Sequence, residues 1–262
     1  PIPLDNSDRN RTSPFAFTGN KFEFRMPGSS FNIACTNVML NTAVAMVLRE
    51  FADELEDAPV FDTALSALIR RELAAHRRIL FNGNGYGTDW PIEAQRRGLL
   101  NLRTTPEALE RYDDPKNVAL FAAMGIYTLE EIRSRQEIIQ EDYSKTILIE
   151  ARTALDLLRQ QILPACMAYS KQVAEGVAVK QSIGIPAPEE SALVRSLTEE
   201  TGLLFQRAAE LESSLTALPS GAAPRAEYCA QAVLPAMEAA RAVADRLEGM
   251  VSHDFWPFPT YR

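Results

Sequence analysis

Apolar and polar residues alternate along a short segment near the start of the chain. Residues 21–26 read Lys-Phe-Glu-Phe-Arg-Met, which is the two-residue period of a β-strand with one buried face. Residues 1–20 precede it as a loop rich in Pro, Asn, Asp, Ser and Thr, and a Pro-Gly-Ser-Ser turn follows it. The pattern therefore predicts that Phe22, Phe24 and Met26 face a core while the charged side chains share the opposite face.

Beyond this strand the apolar residues recur at steps of three and four, the period of an α-helix. Helices are expected at about 32–53 and 62–81, and shorter helical pieces around 92–97 and 106–111. The first of these helices is apolar on most of its sides, which favours burial in a larger body. The second is followed by the sequence Asn-Gly-Asn-Gly at 82–85, a composition typical of a helix end.

Three longer amphipathic helices are expected from Thr128 onward. The first begins with a capping box at Thr128 and runs to about Ser182, with a kink at Pro164. The second carries leucines seven residues apart. These are Leu197, Leu204, Leu211 and Leu218. The third has an apolar stripe over 233–251 and a bend at Pro235. Short connections favour an antiparallel bundle within the chain, although a leucine repeat of this period also suits a coiled coil with another subunit.

The composition is that of an ordinary globular protein. The chain has 46% hydrophobic and 24% charged residues and a net charge of -8, which argues against a nucleic-acid partner. No apolar run is long enough for a membrane span, and the chain starts at Pro1 without a methionine, which suits a processed or truncated product. Three widely spaced cysteines, each expected in apolar surroundings, favour a cytoplasmic location. The aromatic, proline-rich tail at 253–261 is expected to dock on a surface.

The charged face of the predicted strand is the best candidate for chemistry. Lys21, Glu23 and Arg25 point the same way, because residues two apart in a strand share a face. A carboxylate is a hard oxygen ligand for Mg²⁺, and a guanidinium offers paired donors to phosphate or carboxylate oxygens. Arg11, in the loop just upstream, would add another guanidinium. The alternative is a solvated strand face whose charges compensate one another, and one glutamate cannot build a metal site alone.

A family resemblance rests on these same residues. Asn10-Arg11-Thr12, a short spacer, and the segment from Lys21 to Ser30 followed by Asn32 resemble the late catalytic motif of glutamine synthetases. In that family an N-R-[ST] loop precedes a strand reading E-x-R, and the wording of residues 10–25 is closer to the type III branch. Further stretches of similar wording lie at 81–86, 97–102, 143–146 and 256–261.

The resemblance implies a parent ligase that activates glutamate as γ-glutamyl phosphate with ATP and then lets ammonia attack. Glu23 then corresponds to a ligand of a divalent metal, Mg²⁺ or Mn²⁺. Arg25 corresponds to the arginine that handles the substrate carboxylate and the transferring phosphate, and Arg11 to the arginine that approaches the phosphates. Lys21 falls at a basic position for the nucleotide phosphates. The family also forms homo-oligomers, as double rings of hexamers.

The fold expected from these observations is mainly α, with a loop and strand remnant of an α+β catalytic domain before a long helical bundle. The predicted domains are residues 1–125, the C-terminal portion of the catalytic domain, and 126–262, the bundle with its docked tail. Because the other metal ligands of the family would precede Pro1, this piece alone is expected to be inactive. The alternatives are a non-catalytic helical scaffold for assembly, or a related ligase that joins glutamate to another amine.

Overall fold

The computed structural model describes the chain in four ranges. These are residues 15–17, 21–25, 32–81 and 84–259. Over these ranges the protein is mainly helical, with one two-stranded antiparallel sheet, which confirms the predicted fold class. The chain folds as two compact units. Unit 1 contains residues 1–103 and 114–129, and unit 2 contains residues 104–113 and 130–262. Whether these units correspond to the predicted domains stays a prediction.

The sheet of unit 1 is a hairpin of strands β1 (Phe15–Phe17) and β2 (Phe22–Phe24), with Phe15 opposite Phe24 and Ala16 opposite Glu23. The expectation that Phe22 and Phe24 lie in a core is wrong for the described chain, since they are 60% and 41% exposed. Phe15 and Phe22 stack with ring centroids 5.1 Å apart. A two-stranded hairpin has too little surface to bury its own aromatic side chains, so burial of this face requires additional polypeptide packed against it. Met26 lies outside the described residues.

The helices of unit 1 are α1 (Ala34–Glu56), α2 (Phe61–Ala75), α3 (Asp89–Arg96) and α5 (Pro115–Ala123), and α1 packs against α2 and α5. The expected burial of α1 is not found, because Thr42 is its one buried residue among those described. Apolar side chains such as Val44 and Leu48 are 41% and 59% exposed. Helix α2 ends six residues before the predicted end, and a 3₁₀ turn at Arg77–Ile79 follows it.

Unit 2 begins with the short helix α4 (Thr105–Leu109). Thr104 caps this helix: its hydroxyl accepts a hydrogen bond from the Glu107 amide at 3.4 Å, and the Glu107 carboxylate accepts one from the Thr104 amide at 3.2 Å. Each side chain therefore satisfies an amide that would otherwise lack a partner at the helix start. Gln136 of the following helix ties α4 to the bundle, donating to the Leu109 carbonyl at 2.6 Å.

The bundle consists of five further helices. They are α6 (Leu129–Leu157), α7 (Leu163–Ser182), α8 (Pro188–Thr216), α9 (Ala222–Tyr228) and α10 (Leu234–Glu248). Helix α8 packs against both α7 and α10. Ion pairs join Arg246 near the end of α10 to Glu200 early in α8, and Arg159 to Glu212 late in α8. These pairings show that α8 runs antiparallel to both neighbours.

The leucine repeat of α8 forms the centre of this bundle. Leu197, Leu204 and Leu211 are each fully buried, in one cluster with side chains from α6, α7 and α10. The contacts that bury the leucines come from the same chain, as expected for an intramolecular bundle. The aromatic side chains of Phe255, Trp256 and Phe258 pack against the same cluster, and the Phe255 ring lies 5.4 Å from that of Tyr169.

Both mid-helix prolines follow a turn of π-helix. The first π-turn (Leu158–Ile162) separates α6 from α7, and the second π-turn (Cys229–Val233) separates α9 from α10. In each, the amide of the leucine before the proline donates to a carbonyl five residues back, at Leu158 or Cys229. Proline has no N–H and its ring clashes with the carbonyl four residues earlier in an α-helix. The wider turn is a way to accommodate that ring without ending the helix.

None of the helices described is both long and apolar enough to cross a lipid bilayer. Two of the three cysteines, Cys166 and Cys229, are buried as expected from their apolar neighbours, whereas Cys35 is exposed. The expectation of an apolar environment is therefore wrong for Cys35, which lies on the first turn of α1 where few side chains are buried.

Candidate functional site

The hairpin of unit 1 brings together three of the four predicted site residues. Arg25 donates to Glu23 Oε2 from Nε at 3.2 Å and from Nη2 at 3.0 Å. Lys21 Nζ lies 3.8 Å from the other carboxylate oxygen of Glu23. The side chains of Glu23 and Arg25 are 26% and 24% exposed, whereas that of Lys21 is 67% exposed. A half-buried carboxylate thus lies between two cations on one face of the strand.

The local backbone explains this geometry. The register pairs Glu23 with Ala16, whose side chain is small and almost completely buried. Directly paired residues have Cβ atoms about 4.5–5.5 Å apart. Because the Ala16 side chain is short, the space above this pair is available to the Glu23 carboxylate and the Arg25 guanidinium. A partly exposed ion pair contributes only about 0–1 kcal/mol to stability, so stability is a weak reason for this arrangement.

Arg11, the fourth predicted site residue, lies outside the described residues, as do its neighbours Asn10 and Thr12. The predicted approach of its guanidinium to the charged strand face therefore remains a prediction. The same holds for the turn that follows the strand.

The described residues of the hairpin supply one metal ligand of the type that Mg²⁺ prefers, the Glu23 carboxylate. No cluster of three or more histidine, cysteine, aspartate or glutamate side chains suited to a metal occurs in the part of the chain that the structure describes. Mg²⁺ is commonly bound by one or two carboxylates together with water and substrate phosphates. Glu23 fits the role of one such ligand, and the other ligands would have to come from elsewhere.

A second polar cluster in unit 1 was not found from the sequence. Glu93 accepts hydrogen bonds from Arg96 and Arg97, both at 2.6 Å, and these bonds lower the pKa of Glu93 to about 2. The Arg97 guanidinium also lies 5.6 Å from the centroid of the Trp90 ring, which stacks on Phe81. The signal available in the sequence was the pair of arginine doublets, at 77–78 and 96–97. All four guanidiniums line one shallow surface depression.

Much of this cluster is structural. Arg97 Nη1 donates to the carbonyls of Leu80 at 2.6 Å and Arg78 at 3.2 Å, so this guanidinium holds the segment after α2 against α3. The cation–π contact with Trp90 fixes the same side chain from another side. Because Glu93 neutralises part of the charge, we assign this cluster to the packing of unit 1 and not to the candidate site.

Comparison with known proteins places the chain in a family. The family described as "Glutamine synthetase C-terminal domain" matches residues 64–181. The matched range includes the second polar cluster of unit 1 and the first half of the bundle, and it lies C-terminal to the charged hairpin.

Whole-chain relatives extend this match. The chain is 40% identical to the "Type-3 glutamine synthetase" of Dictyostelium discoideum over 273 aligned positions, which cover 100% of the chain and 37% of the relative. It is 34% identical to the "Glutamine synthetase" of Butyrivibrio fibrisolvens, covering 98% of the chain and 37% of the relative. The "Glutamine synthetase" of Bacteroides fragilis (strain YCH46) is also 34% identical, with 100% and 37% covered. The chain thus spans little more than a third of the length of these relatives. It belongs to the glutamine synthetase family, in the type III branch, and represents a C-terminal fragment of such a protein.

Proposed function

We propose that the parent protein is an ATP-dependent ligase that joins glutamate and ammonia through γ-glutamyl phosphate, and that the hairpin of unit 1 forms one side of its active site. The observation that carries the proposal is the half-buried Glu23 carboxylate held between Lys21 and Arg25. This arrangement occurs in a chain whose relatives are named glutamine synthetases. An anionic substrate and a divalent cation both need charged partners of this kind.

In this proposal each charged residue has a separate role. Glu23 contributes an oxygen ligand to Mg²⁺ or Mn²⁺, and a cation bound there would neutralise charge on the phosphate oxygens. Arg25 and Arg11 hold the substrate carboxylate and the transferring phosphate, since a guanidinium presents two parallel donors. Lys21, the most exposed of the three hairpin side chains, serves as a point charge for the nucleotide phosphates.

The contact between Glu23 and Arg25 suits a site that exchanges partners. Without ligands the two side chains neutralise each other at 3.0 Å. Because both are about one quarter exposed, separating them costs on the order of 1 kcal/mol or less. The carboxylate can then turn to a cation and the guanidinium to a phosphate or carboxylate group.

The described residues of the chain supply only part of the proposed site, so catalysis requires the remainder of the protein. The exposed large apolar side chains of unit 1 support this view, because a protein surface with many such side chains normally marks an interface. Examples are Leu48 at 59%, Phe61 at 55% and Phe22 at 60% exposure. We propose that this surface is buried in the full-length protein, as a homo-oligomer, and that the protein works in a reducing compartment such as the cytoplasm.

The test is glutamine formation by the full-length protein carrying Glu23→Ala or Arg25→Ala, followed by phosphate release and by direct measurement of glutamine. Removing one group that stabilises a developing charge typically lowers the rate by about 10²–10³-fold. We expect a loss of this size for Arg25→Ala, and for Glu23→Ala a loss together with a raised requirement for Mg²⁺. Glu54→Ala is the matched control, because Glu54 pairs with Arg71 on the surface of the same unit at 2.7 Å. Near-normal synthesis by either hairpin variant would refute the site assignment.

A further inference from the structure

Unit 2 contains an apolar groove with no part in the proposed reaction. It has a volume of about 440 Å³ and lies between the first π-turn, helix α10 and the C-terminal tail. Its apolar walls are formed by Leu158, Ile162, Leu234, Met237, Trp256 and Phe258. Pockets for small molecules generally have volumes of roughly 300–1,000 Å³ and are lined by apolar and aromatic side chains. The groove therefore has the size and lining of a small-molecule site.

The two π-turns help to build this groove. Leu158 and Ile162 are the first and last residues of the first π-turn, and Leu234 directly follows the second. Single π-turns within α-helices occur frequently at functional sites. On α10 the groove is lined by Ala240 and Ala244, one helical turn apart, whose small side chains leave space above that helix.

The mouth of the groove carries an excess of negative charge. Three carboxylates, those of Glu238, Asp245 and Glu248, line it together with a single guanidinium, that of Arg241. Arg241 Nε lies 3.6 Å from Asp245 Oδ2, so the guanidinium is already paired with one of the three carboxylates. Three negative charges and one positive charge leave a net charge of -2, distributed along the α10 side of the groove from Glu238 to Glu248. An anionic ligand would be repelled there, and a cationic ligand would be attracted.

The aromatic side chains favour the same class of ligand. The faces of tryptophan and phenylalanine rings attract cations, most strongly for tryptophan, and the Trp256 and Phe258 rings line the groove. Both rings are half-buried against the core of unit 2, so their positions are fixed by packing. An apolar cavity with aromatic walls and carboxylates at its mouth is complementary to a molecule that has an apolar body and one cationic end.

We propose that this groove binds a small organic cation, such as a protonated primary amine attached to an aromatic or aliphatic body. The body lies between Met237 and the rings of Trp256 and Phe258, and the ammonium group lies beside Glu238 or Glu248, the carboxylates at the two ends of the groove's α10 side, which are about 15 Å apart along that helix. The inference is independent of the proposed ligase reaction, because every lining residue belongs to unit 2 and none belongs to the charged hairpin.

The test uses the complete 262-residue chain with Trp90→Phe, which leaves Trp256 as its one tryptophan. Three probes with the same nine-carbon skeleton are titrated while the Trp256 emission is recorded: 3-phenylpropylammonium, 3-phenylpropan-1-ol and 3-phenylpropanoate. We expect saturable binding of the amine, weaker binding of the alcohol, and at least tenfold weaker binding of the carboxylate than of the amine. Raising the salt concentration should weaken binding of the amine and leave that of the alcohol unchanged.

Variants of the lining then locate the site. Glu238→Gln combined with Glu248→Gln is expected to lower the affinity for the amine about three- to tenfold without changing the affinity for the alcohol. Glu199→Gln, on the exposed side of α8, is the charge control and should change neither affinity. Ala154→Leu, at a half-buried position in the groove lining, should weaken binding of both probes by filling space, with circular dichroism confirming that the helices remain.

Three results would overturn the proposal. The first is equal affinity for the amine and the carboxylate, or no saturable change with any probe. The second is binding that appears only after residues 260–262 are removed, which would show that the groove holds the chain's own terminus. The third is a self-associated form in sedimentation velocity that excludes the amine, which would assign the groove to a second copy of the chain.

Discussion

The buried leucines of α8 allow a quantitative test of the bundle. Leu204 is fully buried in the middle of the helix, with Leu197 and Leu211 one heptad away on either side. Leu204→Ala removes three carbon atoms from this core, which forfeits about 2.4 kcal/mol of transfer free energy at about 0.8 kcal/mol for each. The cavity left behind adds to this loss, so the free energy of unfolding should fall by about 3–5 kcal/mol.

The assay follows unit 2 alone. Trp256 packs against the core cluster of unit 2, whereas Trp90 lies in unit 1. In a Trp90→Phe background, urea unfolding monitored by tryptophan emission therefore reports the stability of the bundle. Phe205→Ala on the same helix is the control, because Phe205 is 51% exposed and its replacement should cost less than about 1 kcal/mol.

The dependence on protein concentration separates the two interpretations of the leucine repeat. In a bundle formed within one chain, the urea midpoint is independent of protein concentration, both for the Trp90→Phe chain and for the same chain with Leu204→Ala. In a coiled coil between chains, the midpoint rises with concentration, because association contributes to stability. A concentration-dependent midpoint, or a loss for Leu204→Ala no larger than that for Phe205→Ala, would refute the intramolecular packing of α8.

Three further predictions concern individual side chains. In the native protein iodoacetamide should modify Cys35 well before Cys166 and Cys229, because Cys166 and Cys229 are buried and burial raises the pKa of the Cys166 thiol to about 11. Peptide mass spectrometry identifies the modified residue, and modification of Cys166 before Cys35 would contradict this. Thr104→Ala should lower the free energy of unfolding by about 0.5–2 kcal/mol in urea unfolding, since it removes a helix cap, whereas an unchanged midpoint would show that the cap contributes nothing. The pKa of Glu93 is lowered to about 2, so its ion pairs stabilise the native state fully above the ordinary pKa of 4.5 and lose this effect as the pH falls toward 2. The difference in free energy of unfolding between the unsubstituted chain and Glu93→Gln should therefore shrink as the pH falls through that range, and a constant difference would contradict this.

Periodicity was sufficient to predict the long helices of unit 2, whereas the short helix α9 and the two π-turns were not predicted. The leucines of α8 lie seven residues apart, and the structure buries all three that lie in the middle of the helix. A stripe of this kind is a dependable signal, because the residues that cover it lie on neighbouring helices of the same chain. Local sequence and final packing therefore agree.

The end of α2 shows where local sequence is insufficient. The apolar spacing continues to Phe81, yet the α-helix ends at Ala75 and gives way to a 3₁₀ turn. The carbonyls of Arg78 and Leu80 accept hydrogen bonds from Arg97, which is 19 and 17 residues further along the chain. A partner at that distance competes with the helix for backbone carbonyls, and periodicity within a window of the sequence contains no information about it.

For the candidate site, the sequence predicted which side chains of one strand share a face, but not which face of that strand is buried. Alternation placed Lys21, Glu23 and Arg25 on one face, and the structure has their charged groups within 3.0 to 3.8 Å. The same alternation predicted the wrong environment for the other face, because Phe22 and Phe24 are exposed in the described chain. Alternation identifies which residues share a face of a strand, but which face is buried depends on the layers packed against the sheet.

The prolines of unit 2 connect sequence, backbone and cavity in a way that neither periodicity nor composition indicated. Pro164 and Pro235 occur in the similar sequences Ile-Leu-Pro-Ala and Val-Leu-Pro-Ala, and in each a π-turn ends two residues before the proline. A proline inside a helix predicts a kink, but the chain can equally widen the preceding turn so that the helix continues. Widening displaces the side chains of that turn, and residues from the first π-turn and directly after the second line the groove beside Trp256. The two prolines therefore contribute to one wall of the groove, and the ligand preference proposed for it follows from the charges of its lining.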